Sequence, residues 1–149
     1  MIKWNHISNA IGYKVNKANS ALRAYFQLMI NESGNSITPE QWGMINFLLY
    51  NPGAIQTELS RITNRDRTSI TRMLDGMEKK GLVERKNDKN DRRVFRIYPT
   101  KKAKEMYDSI LPYAEKYNNT VKDLLSEEEC IELVRKLDIL SENINKILR

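Results

Sequence analysis

The apolar residues Ile7, Ile11, Val15, Ala18, Leu22, Tyr25 and Met29 follow one another at steps of three or four, the spacing that lines one face of an α-helix. They predict one long helix from about Asn5 to Asn31, free of proline and with Gly12 as its single glycine. The loop ESGNS, Glu32 to Ser36, follows. TPEQ, Thr38 to Gln41, then opens a second helix, with a capping hydroxyl, proline at the first helical position and glutamine at the third. Trp42, Ile45, Leu48 and Leu49 are its expected buried side, and NPG at Asn51 to Gly53 ends it.

A short helix is expected from about Gln56 to Ile62, broken by Thr63 and by Asn64, a residue type suited to a left-handed turn. Asp66 can cap the next helix, about 66–80, by accepting from the amide of Thr68 or Ser69. Ile70, Met73, Leu74 and Met77 share one side of that helix, while Arg67, Thr68, Thr71, Arg72 and Asp75 fill the other. Gly81 supplies the left-handed residue after its end. The period then changes to that of strands: LVERK and VFRIY (Val94 to Tyr98) flank the polar tip NDKNDRR. Thr100 caps a fifth helix carrying Ala103, Met106, Tyr107, Ile110, Leu111 and Ala114, in which Pro112 predicts a kink or break. SEEE at Ser126 opens a last helix with Cys130, Leu133, Val134, Leu137, Leu140, Ile144 and Ile147 spaced almost as a heptad.

The pattern therefore predicts a mainly α chain with a small β ribbon and a long striped helix at each end. A small central domain cannot cover both stripes, so two copies are expected to pair through them as a homodimer.

A short helix, a tight turn and a second helix with a polar tip form a helix-turn-helix, whose second helix enters the DNA major groove. Arginine can donate two parallel bonds to guanine, and threonine or serine can bond bases or phosphates. Thr68, Ser69, Thr71 and Arg72 lie toward the N-terminal half of the helix, where its dipole also favours phosphate. Taken alone, the segment fits a solvated amphipathic surface helix equally well. The hairpin that follows changes this: Lys86, Lys89, Arg92 and Arg93 can run from it along the backbone into a neighbouring minor groove. Asp91 would repel phosphate there, and is read as a wing-structural residue paired with an adjacent arginine.

Charge supports that reading. From Arg61 to Lys104 there are 15 Lys/Arg against 6 Asp/Glu, although the whole chain carries only +6. A basic middle between near-neutral flanks suits a polyanion partner.

The run Gln56 to Thr100 resembles the MarR family (multiple antibiotic resistance regulators) of bacterial transcription factors. The resemblance is carried by Glu58-Leu59, Asp66, Thr71-Arg72, Leu74-Asp75, Glu78, Gly81-Leu82-Val83 with Arg85, Asp91-Arg92-Arg93 and Thr100, and extends to TPEQW…NPG before and LSEEE after. It implies a winged helix-turn-helix regulator with a two- or three-stranded wing. Residues 37–100 would form the DNA-binding domain, and residues 1–36 and 101–149 the helical dimerisation region. The helix at about 66–80 would read bases of a pseudo-palindromic operator, with the wing at 86–94 in the minor groove through Arg93. The DNA-binding set is then Arg65, Arg67, Thr68, Ser69, Thr71, Arg72, Lys86, Lys89, Arg92 and Arg93. Repression, relieved by a small aromatic effector, is the implied mode of action. Tyr25, Trp42 and Tyr107 are the aromatics best placed for such a ligand, though aromatics on apolar stripes also serve as core. The chain departs from the family at Ile55, where a hydroxyl cap is usual, at Ser60 for alanine, and at Pro99 for leucine, where the second wing strand is expected to end early.

Other chemistries find little support. The single histidine, His6, is read as a surface or interface imidazole, and the single cysteine, Cys130, as apolar packing, so no metal site, cofactor or internal disulfide is expected. No phosphate-binding glycine loop or catalytic residue set is present, so the chain is not read as an enzyme. With no signal-peptide core and no apolar run near ~18 residues, it reads as cytoplasmic and free of membrane contact. A winged-helix protein-interaction module and a non-specific architectural DNA binder are the alternatives.

Overall fold

The computed structural model describes residues 6–148. After a single 3₁₀ turn at Ile7–Asn9, the order is α1 (Ile11–Glu32), α2 (Pro39–Tyr50), β1 (Ala54–Ile55), α3 (Gln56–Thr63), α4 (Arg67–Lys79), β2 (Val83–Asn87), β3 (Phe95–Pro99), α5 (Lys101–Lys122) and α6 (Glu127–Ile147). The protein is mainly helical with one antiparallel sheet, ordered β1-β3-β2.

Local chemistry explains most boundaries. Thr38 and Gln41 form a reciprocal capping box at α2, with Pro39 at its first position. Ser126 and Glu129 do the same at α6. Thr100 Oγ1 accepts from the Ala103 amide to start α5 and donates to the Gly81 carbonyl at 2.7 Å, fastening that helix to the end of α4.

Three expectations change. The first helix is not continuous from Asn5: Asn5 lies outside the described residues, and Ala10 is extended (φ −62°, ψ 132°) between the 3₁₀ turn and α1. The His6 ring, which accepts from the Ser8 amide at 3.3 Å, offers the chain a local bond that competes with helix. Pro99 does not shorten the second wing strand; it is its last residue, opposite Val83. β1 reaches only as far as Arg96 and Ile97, so no third strand lies alongside Pro99 to need its missing N–H. Pro112 does not break α5, which runs through it with Ile110 and Ala114 buried on either side.

The core joins α1 and α2 to the helix-turn-helix and sheet through Ile30, Ile37, Ile45, Leu48, Leu59, Ile70, Leu74, Met77, Leu82 and Ile97. Met44 is buried in α2, while Trp42 and Leu49 are only half-buried. α6 has no buried residue: Val134 is 60% exposed and Ile144 47%. The outer part of α1 is similar, with Ile7 70% exposed and Ile11 52%.

Candidate nucleic-acid interface

The two helices α3 and α4 are joined by Asn64, Arg65 and Asp66, and the bend is made at Asn64, whose φ of 50° is left-handed. Asparagine tolerates that conformation far better than a branched residue does. α3 begins at Ile55 without a hydroxyl cap; the Glu58 carboxylate compensates by accepting from the Ile55 amide at 2.8 Å. α4 begins with Asp66, which accepts from the Ser69 amide at 2.9 Å and from its hydroxyl at 2.6 Å. These bonds hold the Asp66 carboxyl below its ordinary pKa. Ile70, Leu74 and Met77 are fully buried and anchor the helix, so its opposite side faces outward.

The wing is organised by a residue that the sequence reading passes over. Asp88 accepts from the Asn90 and Asp91 amides at 2.8 and 3.1 Å and pairs with Arg96, all of which lower its pKa. Arg96 in turn reaches the Gly53 carbonyl at 3.0 Å, tying the wing to the turn after α2. That turn needs glycine: Gly53 has φ 86°, and a Cβ would stand 2.9 Å from the Tyr98 hydroxyl. An Asp two residues before an Asn is the one sequence trace of this loop, and Asx turns are too common to be decisive. Asp91 accepts from the Arg93 amide and guanidinium at 3.0–3.2 Å, within the loop as expected.

The fate of the charges is informative. All six acids between Arg61 and Lys104 are bonded: Asp66 to Ser69, Asp75 and Glu78 to Arg85, Glu84 to Lys86, Asp88 to Arg96 and Asp91 to Arg93. Arg85, whose side chain is 19% exposed, holds both α4 carboxylates at 2.6 Å, which fixes β2 to α4 and offsets one of their two negative charges.

The ten candidate contacts divide accordingly. Arg67, Thr68, Arg72, Lys89 and Arg92 are exposed, and their side chains make no hydrogen bond or ion pair among the described residues. Arg93 keeps a 90% exposed side chain despite its pair with Asp91. Lys86 is shared between Glu84 and the face of Tyr98. Arg65 leans back toward Glu40 of α2 at 3.8 Å. Ser69 gives its hydroxyl proton to Asp66, and Thr71 gives its own to the Arg67 carbonyl at 2.8 Å. Helix and wing meet at one cleft of about 130 Å³ lined by Gln56, Arg67, Arg93 and Phe95.

A second set of residues joins α1, α2 and α5. Trp42 stacks on Tyr107 with centroids 5.0 Å apart and meets the edge of Phe26 at 5.3 Å. Tyr25 is one step removed, contacting Tyr117, which also touches Phe26. Asn46 donates to the Tyr107 hydroxyl at 2.6 Å, while the buried Trp42 Nε1–H has no partner. Phe26 and Tyr117 were not singled out from the sequence. The Ser60 hydroxyl is likewise buried without a partner.

Helix, turn, helix, then a basic hairpin paired to a short third strand: this is a winged helix-turn-helix DNA-binding protein. A model described as MarR family matches residues 35–94, which span α2 through most of the wing. Over those residues the chain is similar to that family. It is 28% identical over 126 residues to the HTH-type transcriptional regulator FarR of Neisseria gonorrhoeae, covering 85% of this chain and 83% of that one. It is 31% identical to a putative transcriptional regulatory protein for the hcr operon of Thauera aromatica over 54% of this chain, and spans about half (48%) of that relative's length. Its fold matches the transcriptional repressor CouR bound to a 23-mer DNA duplex at a TM-score of 0.81 and 24% identity, covering 95% of this chain and 99% of that chain.

Proposed function

We propose that the protein is a cytoplasmic homodimeric transcriptional repressor that reads a pseudo-palindromic operator and acts by binding rather than catalysis. The observation that carries this is the cleft lined by both Arg67 at the start of α4 and Arg93 of the wing. From Arg61 to Lys104 the 15 Lys/Arg outnumber the 6 Asp/Glu, so the surface offered to a partner is cationic. Arg67, Thr68 and Arg72 would enter the major groove, while Lys89, Arg92 and Arg93 would follow the backbone to the minor groove. Residues 37–100 form the DNA-binding unit in this reading. The uncovered apolar faces of α1 and α6 support pairing of the terminal regions, because each is too large to be left in water on a lone chain.

The Trp42–Tyr107 cluster is the proposed place of a small aromatic effector, supported by its unpaired indole N–H. The effector's acceptor atom would satisfy the Trp42 Nε1–H, which otherwise carries the cost of a buried unpaired donor. Bound there, it would bear on the junction of α1, α2 and α5.

Gel-shift titration of the promoter upstream of its own gene, with and without aromatic carboxylates, tests both parts. Retardation that is lost on charge reversal at Arg72 and relieved by the carboxylate is the expected result. Retardation indifferent to Arg72 and Arg93 would favour an interaction module instead.

A further inference from the structure

We infer that Gln56 is a positioning residue that locks α4 against α3, and that it commits the Thr71 hydroxyl proton to this lock and not to donation to DNA. The inference rests on the reading of α4 as the DNA-recognition helix.

Gln56 is the first residue of α3, and its side-chain amide carries two hydrogens. One is donated to the Arg67 carbonyl at 3.0 Å and the other to Thr71 Oγ1 at 2.5 Å. The Thr71 hydroxyl has one hydrogen, and it goes to the same Arg67 carbonyl at 2.8 Å. Every donor in the group is therefore used. Phosphate oxygens and the guanine edge in the major groove only accept, so Thr71 has nothing to offer them. Threonine here is not a reader in waiting; it is the middle of a latch.

The latch has a task that apolar packing cannot perform. α3 and α4 otherwise meet through Leu59, Ile70 and Leu74, all fully buried. Such contacts are non-directional and allow a helix to turn a few degrees about its axis. Hydrogen bonds are directional. Those from Gln56 are the side-chain bonds that join α3 to α4 among the described residues, and they end on Arg67, whose guanidinium lines the cleft with Arg93. The angle at which Arg67, Thr68 and Arg72 meet the groove thus depends on a residue that does not itself read a base.

A double-mutant cycle separates this from direct contact. Gln56→Met keeps length and removes both donors; Thr71→Val keeps shape and removes the hydroxyl. The probes are a duplex enriched by the wild-type dimer from a random-sequence pool and an unrelated duplex of equal length, followed by fluorescence anisotropy, with thermal melting as a control. Each single substitution is expected to weaken the enriched duplex about three- to tenfold, the worth of a hydrogen bond or two, and to leave the unrelated duplex nearly unchanged. The double variant should be no weaker than the weaker single, because both remove one latch. Losses that multiply in the double variant, or a Gln56→Met variant that binds as wild type, overturn the inference. If Gln56→Met fails to fold, Thr71→Ser decides: it keeps the hydroxyl and should bind like wild type, and binding like Thr71→Val contradicts the latch. Failure of the wild type to enrich any sequence removes the DNA-reading itself, whereas enrichment with multiplying losses removes only the latch.

Discussion

A side chain can meet DNA only with the donors its own fold leaves free. By that measure Arg72, exposed and uncommitted, is the strongest base reader on α4. Arg72→Ala should cost about 1–3 kcal/mol on a cognate site and relax base preference at one position, measured by anisotropy against single-base variants of the site. Lys89→Ala should instead weaken all sequences evenly and reduce the slope of log affinity against log salt by about 1. Arg85 makes a different prediction. Its loss would leave Asp75 and Glu78 without a cationic partner on the recognition helix and remove the side-chain tie between β2 and α4. Arg85→Met should therefore lower stability by about 1–3 kcal/mol in denaturant melts and weaken DNA binding without regard to sequence. Glu40 gives the pH dependence. Its bidentate bond from Arg23 pulls its pKa down to about 2, well below the usual glutamate value. A carboxyl depressed in the folded state stabilises above its unfolded pKa and loses that contribution as pH falls toward the folded value. Melting temperature should thus fall between about pH 5 and 2, and Glu40→Gln should flatten that part of the curve.

At the scale of elements, the turn at Asn64 and the buried face of α4 set the interface. Asn64→Val should destabilise by about 1–2 kcal/mol, since a branched residue resists a left-handed backbone, while Asn64→Gly should be tolerated. Both are checked by thermal melting. The elements written in local bonds were legible in advance: the boxes at Thr38 and Ser126, the cap at Asp66, the left-handed Asn64 and the stop at Gly81 all lie where their residue types require. Elements that depend on distant partners were not. β1 is two residues long and exists because β3 lies beside it, so Ala54-Ile55 carries no period of its own. Asp88 looks like one more polar residue in a charged tip until Arg96 and the Asn90 amide close on it. The bond from Gln56 to Thr71 was not legible either, because the two residues are fifteen apart along the chain. Pro99 and Pro112 were judged by what proline removes locally, whereas the surrounding packing requires no N–H at the one and holds the helix through the other.

At the scale of the whole molecule, reading a two-fold operator requires two copies of the chain. The stripe on α6 and the outer part of that on α1 are uncovered, and between the end of α5 and α6, at Val121, Leu125, Ile131 and Val134, an apolar cleft of about 610 Å³ lies beside Cys130. A charge placed in that surface, as in Leu137→Asp, should shift the protein from dimer to monomer in sedimentation equilibrium and abolish operator binding while α2–β3 remains folded. No helix among the described residues is long and apolar enough to cross a membrane, so these stripes are not spans. The central claim is that paired subunits present Arg67, Arg72 and Arg93 to duplex DNA in a fixed geometry. Selection of binding sites from a random duplex pool tests it most directly. A two-fold symmetric consensus with half-sites about 10 bp apart, lost from the pool when Arg72→Ala replaces the wild type, is the predicted result. Recovery of no consensus, or of the same consensus by both proteins, would contradict it.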